Sequence, residues 1–250
     1  MSKIIAAVNQ KGGVGKTTLV LNLAFQLSLL GKKVLIVDND PQAHASSVLL
    51  PDTDDDTTPY INDIYLRADP ATKLILHNPV FKVAFLAANI FLADAEMQLI
   101  SKFGRETHLK RALASLKYDY IFIDCGPSLG MLTVNALTAA DNYIVATRPE
   151  RFALAGIKLV QETVKLIKEE LNPDLALLGV CITWMPHTNI AKQHRQSLVD
   201  TFKEKMFQAE ISQNKDVEEA QTNRVPVSKW NPSCKAAQQY AELVKEVLAR

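Results

Sequence analysis

Residues 4–18 constrain this chain more than any other segment. An apolar run, Ile4-Ile5-Ala6-Ala7-Val8, leads to Lys11-Gly12-Gly13-Val14-Gly15-Lys16-Thr17-Thr18 and then to Leu19-Val20-Leu21-Asn22-Leu23-Ala24-Phe25-Gln26-Leu27. The first run reads as a buried strand and the last as a helix, so the glycine-rich piece joins strand to helix with Gly-Lys-Thr at the first helical turn. Gly12, Gly13 and Gly15 permit backbone approach that a Cβ would block. The N–H groups of such a loop, with the helix N-terminus, cradle a polyphosphate. Lys16 then reaches the β- and γ-phosphates of a nucleotide, and the Thr17 hydroxyl ligates Mg²⁺. Residues 11–18 are the expected nucleotide cradle.

The rest of the chain suits one α/β domain spanning residues 1–250. Its 250 residues are 48% hydrophobic and 22% charged, the balance of an ordinary globular protein. A formal net charge of +1 does not indicate a strongly basic nucleic-acid binder, although a local patch is compatible with it. Cys125, Cys181 and Cys234 are odd in number and widely spaced, which fits reduced thiols in a cytoplasmic protein better than a disulfide framework. The first strand begins almost at Met1, leaving no room for a signal peptide, and no apolar stretch approaches the ~20 residues of a membrane span.

Apolar runs alternate with helical patterns, predicting a mostly parallel twisted sheet with helices on both faces. The expected strands are 4–8, 33–37, 83–86, 120–123, 142–146 and 177–183, with a short final strand near 207–211. The expected helices are 16–30, 93–116, 129–139, 153–171, 190–206 and 234–249. Gly31 and Pro173 read as helix stops, and the run from Pro51 to Pro59, with Asp52, Asp54, Asp55 and Asp56, as a solvated acidic loop.

Two further elements fall at strand ends. In Asp38-Asn39-Asp40-Pro41-Gln42 the carboxylates at i and i+2 face one mouth beside the phosphate loop, although Asp-Pro is also common turn chemistry. The apolar strand Tyr120-Ile121-Phe122-Ile123 ends in Asp124-Cys125-Gly126, an arrangement in which a dry strand delivers a carboxylate to Mg²⁺ through water. The Gly126 N–H then lies where it meets, and senses, a γ-phosphate.

The loop also departs from G-x-x-x-x-G-K-[ST]: Gln10 holds the first glycine position and a second lysine, Lys11, follows it. In this it resembles the ParA/MinD family of ATPases, and within it the Soj-like partition branch. The resemblance runs from Lys3 to Leu248, through Leu86-Ala87-Ala88-Asn89-Ile90, Leu92-Ala93-Asp94-Ala95-Glu96, Pro127-Ser128-Leu129-Gly130, Ala153-Leu154-Ala155-Gly156 and Val225-Pro226-Val227. It implies a P-loop ATPase with ATP and Mg²⁺ as cofactors. Lys11 would cross a homodimer interface to the partner's nucleotide, Asp38 would support the magnesium shell, and Asp40 would orient or deprotonate the attacking water. The adenine would sit near Met185 and near Gln213 and Asn214. Cys125, without a second cysteine suitably placed for a cluster, reads as a small buried filler.

The resemblance further implies a slow hydrolase, stimulated by a ParB-like adaptor, whose ATP-bound dimer holds DNA without sequence preference and partitions a plasmid or chromosome on the nucleoid. The family's Pro-Arg-Asn segment and the arginine after it read Ser212-Gln213-Asn214-Lys215-Asp216 here. Two expected positive charges are therefore Gln213 and Asp216. Lys192, Arg195, Lys215, Arg224 and Lys229, with Lys203, Lys205 and Lys235, are candidates for a substitute patch; a solvated helix face explains several of them equally well. A relative that positions a protein cargo without DNA is the alternative, and a small-molecule enzyme on the same fold is disfavoured by Lys11. Membrane attachment is not expected, since the chain stops within its closing helix.

Overall fold

The computed structural model describes residues 2–51 and 57–250. The acidic stretch 52–56 predicted as a solvated loop lies outside them. The chain begins β1 (Lys3–Val8), α1 (Lys16–Leu29), β2 (Val34–Asn39), α2 (His44–Leu49) and α3 (Asn62–Arg67). It continues with β3 (Leu76–Asn78), β4 (Val83–Leu86), α4 (Leu92–Leu99), α5 (His108–Leu113), β5 (Tyr120–Cys125) and α6 (Met131–Ala139). It closes with β6 (Asn142–Thr147), α7 (Ala153–Glu170), β7 (Ala176–Ile182), α8 (Asn189–Phe202), α9 (Lys215–Thr222), α10 (Val227–Trp230) and α11 (Lys235–Ala249).

These strands form one seven-stranded sheet in the order β3-β4-β2-β5-β1-β6-β7, parallel throughout except for the antiparallel edge strand β3. Strands β1, β2 and β5 are fully buried at their C-terminal halves, as expected where helices cover both faces. Alternate residues supply two cores. Val8, Val37, Ile123 and Val145 pack with α4–α7 on one face. Ile5, Ile36, Phe122 and Ile144 pack with α1 and α11 on the other. Helix α1 is apolar on nearly all sides because it is wedged between the sheet and α11.

The single helix expected over 93–116 is two helices. Gly104 adopts a left-handed φ of 61°, which a continuing α-helix does not tolerate, and a 3₁₀ turn at Arg105–Thr107 redirects the chain into α5. The strand expected at 207–211 is not among the sheet's strands. There the backbone makes only isolated bridges, Val180 with Met206 and Met185 with Ser212, because Gln208 and Ala209 give their N–H groups to the Glu246 carboxylate instead of to a neighbouring strand. The helix expected over 190–206 ends at Phe202 and finishes as a 3₁₀ turn, Lys203–Lys205.

Candidate nucleotide site

Because β1, β2, β5, β6 and β7 are parallel, their C-terminal ends open on one edge, and every expected phosphate-site element lies there. Asn9, just past β1, fixes the start of the loop. Its side-chain amide donates to the Ala146 carbonyl at 2.7 Å, and its Oδ1 accepts from the Lys11 N–H at 3.0 Å. Gly13 and Gly15 take left-handed φ values of 70° and 83°. At Gly15 a Cβ would also stand 3.3 Å from that of Thr183, so this position needs glycine twice over. The Thr183 hydroxyl sits between the Val14 and Thr147 carbonyls, tying the loop to the ends of β6 and β7.

Lys16 is buried, its ammonium directed at the Asn9 and Lys11 carbonyls, 3.2 and 3.4 Å away. Burial lowers its pKa, while the Asp124 and Asp40 carboxylates act to raise it. Asp124 is 1% exposed, and neither carboxylate oxygen has a hydrogen-bond partner. Burial first, and then the Asp38 charge, push its pKa up to about 8, against the Thr17 hydroxyl and Lys16, which pull it down. A buried carboxylate without a hydrogen-bond partner, beside a threonine and a lysine, has the chemistry of a cation ligand. Among the described residues no group of three or more His, Cys, Asp or Glu side chains makes a metal cage by itself. The residues present suit Mg²⁺ that takes its remaining oxygens from phosphate and water.

Asp38 is more committed. Its Oδ2 accepts both the N–H and the hydroxyl of Ser46 at 2.7 Å, and its Oδ1 the N–H of Asp40 at 3.3 Å. Burial nonetheless raises its pKa to about 6. Both of its oxygens are thus engaged within the chain, and it anchors α2 through Ser46. Asp40 accepts the Gln42 N–H on Oδ1 at 3.0 Å. Its carboxylate faces Gly126, where a Cβ would lie 3.1 Å from Oδ1. Cys125 is buried, and burial pushes its thiol well up; it is a filler as expected.

A cleft of about 460 Å³ joins Gly12 to Thr18 with Asp40, Arg148, Thr183, Trp184, Val217 and Gln221, within the range of small-ligand sites. A wider surface depression of about 730 Å³, near Lys33, Ile75, Lys82 and Tyr118, holds none of these groups. The residues expected beside the base fall next to the cleft. Met185 and Gln213 join backbones at 3.1 Å, and the Asn214 side chain caps α9, whose Val217 and Gln221 line the wall. Sequence reasoning missed Asn9, Ser46, Arg148, Thr183, Trp184 and Gln221. Only Asn9, next to the loop, had a local signal.

The candidate DNA cations are less coherent. Arg195 pairs with Glu210 at 2.5 Å, and Lys215 with Glu219 at 3.9 Å. Asp216 accepts from the Asn231 amide at 2.9 Å. Lys192, Arg224 and Lys229 are exposed on α8, after α9 and on α10. Lys11 pairs with Glu150.

A parallel α/β sheet with a strand–loop–helix phosphate cradle and carboxylates at the adjoining strand ends defines a P-loop nucleotide-binding domain. Residues 2–177 match the family model described as an AAA domain. The chain is 40% identical over 252 residues to the sporulation initiation inhibitor protein Soj of Bacillus subtilis, covering 100% of this chain and 99% of that protein. It is 37% identical to the chromosome-partitioning ATPase Soj of Treponema pallidum, covering 100% and 98%. Among solved structures, it resembles cobyrinic acid a,c-diamide synthase from Mycobacterium smegmatis with bound ADP and magnesium. That match has 33% identity and a TM-score of 0.84, over 99% of this chain and 94% of the other. The chain belongs to the Soj/ParA family of partition ATPases. No helix among the described residues is long and apolar enough to cross a membrane.

Proposed function

We propose that this protein is an ATP-dependent partition switch that hydrolyses ATP to ADP and phosphate. The observation carrying this reading is the unpartnered Asp124 carboxylate buried between Thr17 and Lys16, with Asp40 facing Gly126 across the same mouth. The loop N–H groups and Lys16 would hold the phosphate chain, and Thr17 and Asp124 would hold Mg²⁺, with Asp38 behind water. Magnesium held there would supply neutralisation of phosphate charge. Asp40 has one oxygen occupied by the Gln42 N–H, which leaves the other to position the attacking water and take its proton. Loss of the γ-phosphate would be read by the Gly126 N–H.

The ATP-bound state in this reading is a homodimer in which each Lys11 serves the other copy's nucleotide, offsetting the charge of two facing triphosphates. Dimer assembly would create a non-specific DNA surface, and a ParB-like adaptor would trigger its release by speeding an otherwise slow hydrolysis. The cargo would be a plasmid or chromosome, and the protein would act in the cytoplasm on the nucleoid. A second reading, a protein cargo without direct DNA contact, is favoured by one observation: Arg195 and Lys215 already have acidic partners, so fewer cations remain to displace counterions.

The two readings separate in one experiment. Retention on DNA at low salt is measured with MgATP and with MgADP, using Lys16→Ala as control. ATP-dependent retention lost on raising salt supports the DNA reading; none at any salt overturns it in favour of protein cargo.

A further inference from the structure

Arg148 immediately follows β6, and Trp184 lies two residues beyond β7. The neighbouring strands bring them together across 36 residues of sequence, and the Arg148 guanidinium carbon sits 4.8 Å from the centre of the Trp184 ring. Both line the cleft with the phosphate loop. The Thr183 hydroxyl, next to Trp184, bridges the Val14 carbonyl of the loop and the Thr147 carbonyl next to Arg148. The pair is therefore registered to the cradle by the backbone rather than by its own side chains.

Among the described residues the guanidinium has no acidic partner. Arg148 Nε is buried without a hydrogen bond, and Glu150, two residues on, is bonded to Lys11. A partly desolvated cation without a counter-charge is unfavourable in the empty protein, and that penalty is relieved when an anion enters. Stacking on an indole fixes the guanidinium plane and leaves its edge N–H groups available. Those donors match phosphate oxygens, which a guanidinium binds in pairs.

We infer that Arg148 is a third cationic ligand of the site, after Lys16 and Lys11. It would bind the phosphate chain of the nucleotide in its own chain, with Trp184 as the platform that aims it. The inference rests on the nucleotide reading above and adds to it a residue that sets affinity for the phosphate chain.

The test compares the parent, Arg148→Gln, Arg148→Lys and Lys16→Ala, all at protein concentrations low enough to keep single chains. Binding of MgATP and of inorganic tripolyphosphate is titrated for each. A lost bond to a charged group predicts about a 10- to 100-fold weaker affinity in Arg148→Gln for both ligands, partial recovery in Arg148→Lys, and no fall in melting temperature without ligand. Trp230 is the other of two tryptophans, so in a Trp230→Phe background the emission of Trp184 should respond to tripolyphosphate only while Arg148 is present. Parent-like affinity of Arg148→Gln for tripolyphosphate would overturn the inference, as would a loss seen only once chains pair. If the parent itself binds neither ligand, the nucleotide reading fails, and the inference with it.

Discussion

The Lys11 ammonium lies 2.5 Å from the Glu150 carboxylate, so the lysine proposed to serve a second copy's nucleotide is engaged within its own chain. The pair is solvent-accessible, with the lysine side chain 54% exposed, and such pairs contribute about 0–1 kcal/mol. Handing Lys11 to a partner's phosphate therefore meets only a small intramolecular competitor. Glu150→Gln should lower the protein concentration for ATP-dependent pairing by no more than about thirtyfold, the equivalent of ~1 kcal/mol for each of the two pairs a dimer releases. Lys11→Ala should bind nucleotide as single chains yet fail to pair. Sedimentation velocity across a concentration series with MgATP reads both. Weaker pairing in Glu150→Gln would mean that the carboxylate supports the interface instead of competing with it.

What the sequence revealed of this site was its contiguous part. Strand, loop and helix at residues 4–29 were legible because apolar periodicity and glycine placement sit within one window, and the carboxylates at Asp38, Asp40 and Asp124 because each ends an apolar strand. The break at Gly104 was not legible, since 93–116 keeps helix-forming residues on both sides of a single glycine. The short edge strand β3 carries three residues, too few for a pattern. Helix α9 is short and polar and draws its start from the Asn214 cap, a local signal easily read as a turn. Arg148 and Trp184 meet only because β6 and β7 are sheet neighbours, which no local pattern encodes.

Lys16 is held by the Asn9 and Lys11 carbonyls and is buried at a cost that phosphate would relieve. Lys16→Ala should abolish productive nucleotide binding. At a ligand concentration 100 times Kd, the parent gains about 2.7 kcal/mol, or roughly 5–10 °C in Tm for a chain of this size. Melting with and without MgATP checks this, and the variant should show no shift.

Gly126 leaves room for the Asp40 carboxylate, and a methyl group there would approach its Oδ1 to 3.1 Å. Gly126→Ala should displace Asp40 and depress turnover while sparing affinity. Asp40→Ala removes the proposed water-positioning group, and kcat should fall by about 10²- to 10⁴-fold, leaving an ATP-bound dimer. Single-turnover hydrolysis together with sizing chromatography in MgATP reads both properties. A strictly monomeric Asp40→Ala would remove the assigned role.

Asn39, between the two carboxylates, points to the opposite face of β2. It accepts the Tyr65 hydroxyl at 2.6 Å and donates to the Leu132 carbonyl at 2.9 Å, all buried. This clamp ties α3 and α6 to the strand end that positions Asp38 and Asp40. Tyr65→Phe leaves a buried amide oxygen without a donor, which costs about 1–3 kcal/mol. The loss should appear as a lower Tm with nucleotide affinity largely retained.

The raised carboxylates give the empty protein a pH signature. Burial raises Asp38 to about 6 and Asp124 to about 8, both from 3.8. Between those limits the folded state holds more protons than the unfolded chain, so the slope of unfolding free energy with pH is negative. The stabilisation these groups provide is complete below about pH 4 and disappears as pH rises through 6 and then 8. Magnesium requires the charged form, and its affinity should rise over the same window as it displaces protons. Asp124→Asn keeps a neutral side chain at every pH. Without ligand it should match the parent at or below about pH 4 and melt increasingly above it up to pH 8.5, while losing most of the gain from MgATP. Calorimetry in buffers of differing ionisation enthalpy should show proton release on MgATP binding to the parent at pH 7, reduced in the variant. A parent whose ligand-free melting relative to Asp124→Asn is flat from pH 5 to 8.5 would mean that Asp124 is already ionised, with Lys16 as its counter-charge.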